Sequence, residues 1–284
     1  MDSRWEAILR SGNPELVLKE ARSCHYPETG DVARAAVAVC RAAAALEKWG
    51  LVVTWAERGL AALPGPDTRS WLLYLLGVAL SNTGDIFRAV RSLREAARLT
   101  AGSPRIGFLS PYVLLALGYA MRYQRDFREE LSSFQQAAVE FANLGRYSQS
   151  ALCHLEAAWS SLLAGDTDTA TIHLESLHPL LREHADPDLR NRVEAARALF
   201  FVLVGEHQQA QVIASDLLRQ TDLTPNCRAD VQWTLGLSRH AVGDSAEAYQ
   251  LATAAYEDAL VDVLPLQVSR IETLLGQVRG EIIL

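Results

Sequence analysis

The 284-residue sequence is poor in the residues that mark metal sites, disulfide frameworks and β-rich folds. Four cysteines lie far apart and form no CxxC pair, so neither a zinc knuckle nor a redox motif is indicated: Cys24, Cys40, Cys153 and Cys227. We expect them to be buried thiols in a reducing cytoplasm. Seventeen glycines and ten prolines are few for this length, and alanine is abundant, which favours helices over a many-turned β-protein.

An excess of basic residues is also missing. The formal net charge is -7, and general nucleic-acid or membrane-surface binders need a basic field to attract phosphates. No stretch approaches the roughly 18 uninterrupted apolar residues of a membrane span. Residues 1–10 carry acids and a tryptophan instead of a basic segment followed by an apolar run, so no signal peptide is expected. The sequence therefore predicts a cytoplasmic protein without direct nucleic-acid or membrane contacts.

Sequence motifs for catalysis are missing as well. No GxGxxG or phosphate loop follows an apolar strand, and no GxSxG elbow occurs. His173, His178 and His184 are separated by five and six residues, whereas helical metal ligands stand at i and i+4, so we expect surface or linker histidines. The adjacent Glu129 and Glu130 point to different sides of a helix and are expected to be solvated. The sequence thus predicts no enzyme, no metal site and no cofactor.

A repeat dominates what the sequence does contain. Residues 71–97 and 113–138 each have an apolar run containing Leu-Gly, a polar turn, and a second amphipathic run that ends in Ala-Ala. Further copies occupy residues 32–63, 151–177, 191–217 and 229–255. One small residue marks the first helix of each copy, at separations of 37, 41, 40, 40 and 38 residues: Cys40, Gly77, Gly118, Ala158, Ala198 and Gly236. Such a period predicts stacked helical hairpins.

Each copy carries residues that favour a helix-turn-helix hairpin. A glycine follows the first helix in four copies and is expected to adopt a left-handed conformation: Gly84, Gly165, Gly205 and Gly243. An acid at the next position, in Asp85, Asp166 and Asp244, is expected to cap the second helix. We predict an all-α fold with a degenerate hairpin over residues 1–30, six hairpins over residues 31–262, and a capping helix over residues 263–284.

These residues resemble the tetratricopeptide family. Its pattern is matched in the second copy at Leu76-Gly77, Leu80, Gly84, Ala89, Leu93 and Ala96, and in the third at Leu117-Gly118, Met121, Phe134 and Ala137. The period near 40 exceeds the family's 34 and is similar to that of bacterial regulator sensor domains and Rap-type peptide receptors. The resemblance covers residues 31–262 and implies a right-handed α-solenoid. No DNA-binding or ATPase segment accompanies it.

The resemblance also implies a binding groove, because the first helix of each hairpin lines the concave face in that family. The groove positions are occupied in this chain by Trp71, Tyr74, Asn82, Tyr112, Tyr119, Arg122, Tyr123, Leu155 and Trp159. Neighbouring copies add Arg34, Arg41, Trp233 and His240. Tyr, Trp and Arg dominate binding hot spots, so these side chains are candidate ligand contacts. The alternative is that the rings pack against each other as ordinary core.

The function predicted from these features is that of a non-catalytic adaptor or sensor. Its concave groove would bind a peptide or an extended protein segment, with Arg122 pairing with a carboxylate of the ligand. The alternative function is structural self-assembly, in which the chain forms a homo-oligomer through its ends or convex face and the groove stays unliganded.

Overall fold

The computed structural model describes residues 3–23, 29–184, 187–261 and 265–280. Across these ranges the chain folds into helices and contains no strand, which confirms the all-helical fold expected from the sequence. It divides into two compact units, unit 1 from Met1 to Leu144 and unit 2 from Gly145 to Leu284. None of the helices in the described ranges is long and apolar enough to cross a membrane.

In its described residues, 3–23 and 29–144, unit 1 folds into four successive helical hairpins. Its helices are α1 (Ser3–Arg10), α2 (Pro14–Ser23), α3 (Thr29–Ala44), α4 (Trp49–Ala61), α5 (Pro66–Asn82), α6 (Ile86–Thr100), α7 (Ser110–Gln124) and α8 (Phe127–Asn143). A 3₁₀ turn, Gly107–Leu109, precedes α7. Each odd-numbered helix packs against the even-numbered helix that follows it, and α3, α5 and α7 also contact one another in succession. These odd-numbered first helices therefore form one continuous face of the unit.

Unit 2 repeats this arrangement with seven helices in the part of the chain that the structure describes. They are α9 (Tyr147–Leu163), α10 (Thr167–His184), α11 (Pro187–Leu203), α12 (His207–Leu218), α13 (Pro225–Ala241), α14 (Ser245–Val261) and α15 (Pro265–Arg279). The first helices α9, α11, α13 and α15 contact one another in succession, and α15 also packs against α14. The division predicted at residues 30 and 262 follows the sequence repeat and stays a prediction.

The turns within the hairpins have the geometry that the sequence predicts. All four glycines expected to end a first helix have positive φ angles, from 76° at Gly165 to 87° at Gly243. The capping acids are confirmed too: Asp85, Asp166 and Asp244 each accept a hydrogen bond from the backbone N–H three residues later. Between α7 and α8 Arg125 takes the left-handed position with φ 58°, and Asp126 is the cap. The same left-handed turn followed by a capping acid therefore forms there without glycine.

Small residues let the two helices of a hairpin approach closely. A Cβ atom built on Gly118 would lie 2.5 Å from Cε1 of Phe134, and one on Gly77 would lie 2.5 Å from Cγ of Leu93. No real Cβ tolerates such contacts, so α7 and α8, like α5 and α6, pack at a distance that only glycine allows. Phe134 and Leu93 are fully buried and belong to the core of unit 1.

The described cysteines are buried, as predicted. Cys40, Cys153 and Cys227 are free thiols with at most 1% exposure, and burial raises the pKa of each to about 12. A thiol with so high a pKa is protonated at neutral pH and unreactive, because the thiolate is the nucleophile. These residues therefore act as small core side chains. Cys24 lies outside the described residues.

Candidate functional site

Partly exposed aromatic rings cover the first-helix face of unit 1. Trp71 and Tyr74 lie on α5, with ring centroids 6.2 Å apart in an edge-to-face arrangement. The ring of Phe108, in the 3₁₀ turn before α7, is 6.1 Å from that of Trp71 and is 48% exposed. The guanidinium of Arg41, on α3, lies 5.7 Å from the centroid of Trp71. Residues from α3, α5 and the 3₁₀ turn thus contribute to one patch. Of these residues, only Phe108 was not predicted from the sequence.

The same face continues on α7 with three tyrosines. Tyr112 packs edge-to-face on Phe141 at 4.8 Å, and Tyr119 packs on Phe134 at 5.3 Å. Both tyrosines are half-buried, because each covers a core phenylalanine of α8. Tyr123 is 42% exposed. We call Trp71, Tyr74, Phe108, Tyr112, Tyr119 and Tyr123 the aromatic surface.

Tyr74 and Tyr112 connect the two parts of the aromatic surface. Both rings are half-buried and pack against the same part of the unit 1 core. Burial raises the pKa of Tyr74, and its neighbour Tyr112 raises it further. The two hydroxyls are polar groups on an otherwise apolar patch, able to donate or accept a hydrogen bond.

Arg122 is engaged within unit 1 by a buried acid. Its Nε donates a hydrogen bond of 2.6 Å to Oε1 of Glu130, whose side chain is only 1% exposed. The guanidinium also lies 5.6 Å from the ring of Tyr119 and 5.2 Å from that of Phe134. The expectation that Glu130 is solvated is wrong, because α8 turns this carboxylate toward α7. An unpaired carboxylate at that depth would be costly, so Arg122 stabilises the hairpin.

The remaining predicted groove residues have other environments. Asn82 is exposed at the end of α5, and its side-chain amide donates to the carbonyl of Val78 at 2.9 Å. Leu155 and Trp159 belong to the core of unit 2, with exposures of 0% and 5%. The prediction that Leu155 lines an accessible surface is therefore wrong, since neighbouring helices of unit 2 cover it completely.

Ion pairs cover the first-helix face of unit 2. Arg192 on α11 donates to Glu156 on α9 at 2.7 Å, and Arg270 on α15 donates to Asp230 on α13 at 2.9 Å. Gln267 donates a further bond of 2.8 Å to Asp230. Burial raises the pKa of Asp230, while Arg270 and then Arg192 lower it.

Two tryptophans lie under the same ion pairs. The Arg270 guanidinium is 4.8 Å from the ring of Trp233 and 5.7 Å from that of Trp159. These contacts explain why Trp159, a predicted groove residue, is buried. Sequence reasoning missed the charged residues, although Glu156, Arg192, Asp230 and Arg270 recur at 36, 38 and 40 residues, close to the repeat period.

A buried histidine pair also lies in unit 2. Nδ1 of His154 on α9 is 3.1 Å from Nδ1 of His173 on α10, and His173 is only 5% exposed. His173 is therefore not the surface histidine that the sequence predicts, whereas His178 is exposed. Burial lowers the pKa of both members of the pair, and that of His173 falls to about 4, with His154 as the smaller cause. In the described ranges no three His, Cys, Asp or Glu side chains meet as metal ligands.

The histidine pair predicts a loss of stability in weak acid. The unfolded chain binds a proton at His173 below about 6.5, whereas the folded chain resists protonation until about 4. The unfolded state therefore binds more protons in this window, and the free energy of unfolding falls as the pH falls. We expect His173 to account for about 2 kcal/mol of that fall, and His173→Gln to have the shallower pH dependence.

The measurement is urea unfolding of the parent and of His173→Gln between pH 7.5 and pH 4.5. His178→Gln is the matched control, because His178 lies on the same helix and is exposed. Its pH dependence should match that of the parent. If His173→Gln and the parent lose stability in parallel, the buried pair does not carry the effect.

Comparisons with known proteins identify the fold. The sequence matches no protein-family model and no curated protein. The structure, however, is similar to that of NprR in complex with its cognate peptide NprX, with 14% identity, coverage of 97% of this chain and 81% of that chain, and a TM-score of 0.69. The fold is that of a tetratricopeptide-like array.

Two further crystal structures support this identification. A Rap protein complexed with Competence and Sporulation Factor is 9% identical over 98% of this chain and 84% of its own, with a TM-score of 0.68. A tetratricopeptide repeat protein from Parabacteroides merdae ATCC 43184 is 11% identical over 97% of this chain and 96% of its own, with a TM-score of 0.61. The chain spans about half, 48%, of the matched chain in the APC/C Cut9-Hcn1 hetero-tetramer. The predicted resemblance to tetratricopeptide and Rap-type proteins is confirmed as a similarity of fold.

Proposed function

We propose that this chain is a non-catalytic adaptor or sensor that binds a peptide or an extended protein segment on the aromatic surface of unit 1. The observation that carries the proposal is that folding leaves these rings partly exposed on adjacent elements. Tyr123 is 42% exposed and Phe108 48%, while Trp71, Tyr74, Tyr112 and Tyr119 are half-buried. Aromatic rings that stay accessible on a rigid scaffold are typical of binding hot spots.

The contacts of the two cations on this surface indicate what kind of segment would bind. Arg122 already pairs with Glu130, and Arg41 pairs with Glu6 through a bond of 2.5 Å. A ligand carboxylate would have to compete with these acids, so charge pairing adds little to affinity. Apolar and aromatic side chains of the ligand would contribute more to affinity. They would cover the faces of the aromatic rings and the flat guanidinium of Arg41, which lies over the ring of Trp71.

The similar structures add support from their own ligands. NprR was crystallised with the peptide NprX, and a Rap protein with Competence and Sporulation Factor. Arrays of this fold can thus hold peptides. We further propose a cytoplasmic location and a protein or peptide partner, without direct contact to nucleic acid or membrane.

The test of the proposed function compares exposed tyrosines of the two units. A pull-down from the source cytosol with mass spectrometry would identify the partner, whose affinity is then measured by calorimetry. Tyr123→Ala should weaken binding by about 2 kcal/mol, because an exposed hot-spot ring is lost, with little change in melting temperature. Tyr147→Ala in unit 2 is the matched control, since Tyr147 is 43% exposed. It should bind as the parent does.

Two outcomes would contradict the proposal. Unchanged affinity in both Tyr123→Ala and Phe108→Ala would place the site elsewhere. A homo-oligomer that dissociates in Tyr123→Ala, measured by light scattering, would favour self-assembly through this surface. Arg122→Ala is a poor probe of binding, because it leaves the buried Glu130 without its ion-pair partner and is expected to lower stability.

A further inference from the structure

A cleft lies in unit 2, between α10 and α11. The cleft has a volume of about 880 Å³ and opens to solvent. Volumes of roughly 300 to 1,000 Å³ are typical of small-molecule sites. Its apolar lining includes Leu174 and Leu181 from α10 and Val193, Phe200 and Phe201 from α11. None of these residues belongs to the aromatic surface of unit 1.

Pro179 provides a local reason for the cleft. It lies inside α10, where it cannot donate the helical hydrogen bond and its ring crowds the carbonyl of Glu175. A proline at such a position bends a helix. We attribute the loose packing of α10 on α11 to this residue, because α12 on α13 and α14 on α15 pack more closely without one.

The two ends of the cleft differ in chemistry. Helices joined by a short connection run antiparallel, and Nη2 of Arg190 donates to the carbonyl of Leu181 at 3.3 Å, which places the start of α11 beside the end of α10. Arg182 and Arg190 therefore line the same end. Phe200 and Phe201 lie at the opposite end, with ring centroids 5.7 Å apart, and both are half-buried.

The charges in the middle of the cleft are largely balanced. Arg197 donates to both carboxylate oxygens of Glu194, at 2.9 and 3.0 Å. Glu175 is seven residues from Arg182 on α10, or about 10 Å along the helix. Among the described side chains that line the cleft, Arg182 and Arg190 thus lie at the end near Leu181, while the lining acid of α11, Glu194, lies one turn from Arg190 and is paired with Arg197. Arginine binds carboxylates bidentately.

We propose that this cleft binds an amphipathic small molecule with an anionic head. The carboxylate head pairs with Arg182 and Arg190, and the apolar body packs on Leu174, Val193 and the two phenylalanine rings. From Arg182 to Leu174 the cleft extends about 12 Å along α10. A saturated chain of about ten carbons has a comparable length, so a medium-chain carboxylate is the ligand class that fits.

The test uses decanoate and 1-decanol, which share the apolar chain and differ in the head group. Calorimetric titration of the full chain should show saturable one-to-one binding of decanoate, and binding of decanol at least ten-fold weaker. Arg182→Gln and Leu174→Gln should each weaken decanoate binding ten-fold or more. Arg219→Gln and Val212→Gln are the matched controls, because both residues are exposed and lie outside the lining of the cleft. The Arg219 side chain is 78% exposed and Val212 is 57% exposed, and both variants should bind decanoate as the parent does.

Each alternative result would overturn the proposal. Absence of saturable decanoate binding would show that the cleft does not bind this class of ligand. Equal affinities for decanoate and decanol would show that the arginines do not bind the carboxylate head. Arg182 is an exposed side chain, so Arg182→Gln keeps its fold and remains informative even if Leu174→Gln melts early. Decanoate binding that is lost in Tyr123→Ala would assign the ligand to unit 1 instead.

Discussion

Replacing Gly118 with leucine should lower the free energy of unfolding by about 3 kcal/mol, although Gly118 itself is not among the proposed ligand contacts. Even a Cβ atom at this position would lie 2.5 Å from Cε1 and 2.7 Å from Cδ1 of Phe134. That ring is fully buried and supports Tyr119, so it has no free space to enter. The substitution therefore separates α7 from α8 or leaves part of the core unpacked. Urea unfolding followed by circular dichroism would measure the loss.

Two further variants make the result specific to this contact. Gly50→Leu is the matched control, because Gly50 lies near the start of α4 and a Cβ there would meet nothing within 4 Å. It should leave stability unchanged or raise it slightly, since glycine is a poor helix former. Combining Gly118→Leu with Phe134→Ala should recover part of the loss, because the new side chain fills the space of the ring. Full stability of Gly118→Leu alone would mean that the assigned pairing of α7 with α8 is wrong.

The hairpins could be predicted from the sequence because local interactions specify them. Asp85 caps α6 with an interaction that spans three residues, and Gly84 ends the preceding segment with a φ of 85°. The close contact of Gly118 with Phe134 spans 16 residues, as does that of Gly77 with Leu93 in the preceding hairpin. The turn at Arg125 could not be predicted in this way, because a non-glycine residue adopts the left-handed conformation there.

The exposure of the predicted site residues could not be read from the repeat. Tyr119 and Leu155 occupy positions on first helices that the resemblance treats alike, yet one is half-buried and the other completely covered. Burial depends on which neighbours the helix meets, and ion pairs such as Glu156 with Arg192 form between hairpins, 36 residues apart. Glu130 shows the same dependence, because its buried position follows from the rotation of α8 against α7. A single period in the sequence does not encode those rotations.

Replacing Arg270 with leucine should lower the free energy of unfolding of unit 2 by about 3 kcal/mol at pH 8. In this variant Asp230 keeps its hydrogen bond from Gln267 but loses the positive charge of Arg270, which compensates the cost of burying the carboxylate. This value is at the low end for breaking a buried ion pair, because 16% of the Asp230 side chain remains exposed. The variant also removes the guanidinium from the rings of Trp233 and Trp159, so tryptophan fluorescence should report the unfolding.

The pH dependence of this variant distinguishes a lost charge from lost packing. Burial already raises the pKa of Asp230, and removing Arg270 should raise it further, because Arg270 is the largest of the causes that lower it. A carboxyl whose pKa is higher in the folded than in the unfolded state loses stability as the pH rises through that range. The difference between the parent and Arg270→Leu should therefore narrow as the pH is lowered from 8 toward 5. Adding Asp230→Asn should restore much of the stability at pH 8, since an amide carries no charge to compensate. A difference that is the same at every pH, and that Asp230→Asn does not reduce, would show that Arg270 stabilises unit 2 through its contacts with the tryptophan rings alone.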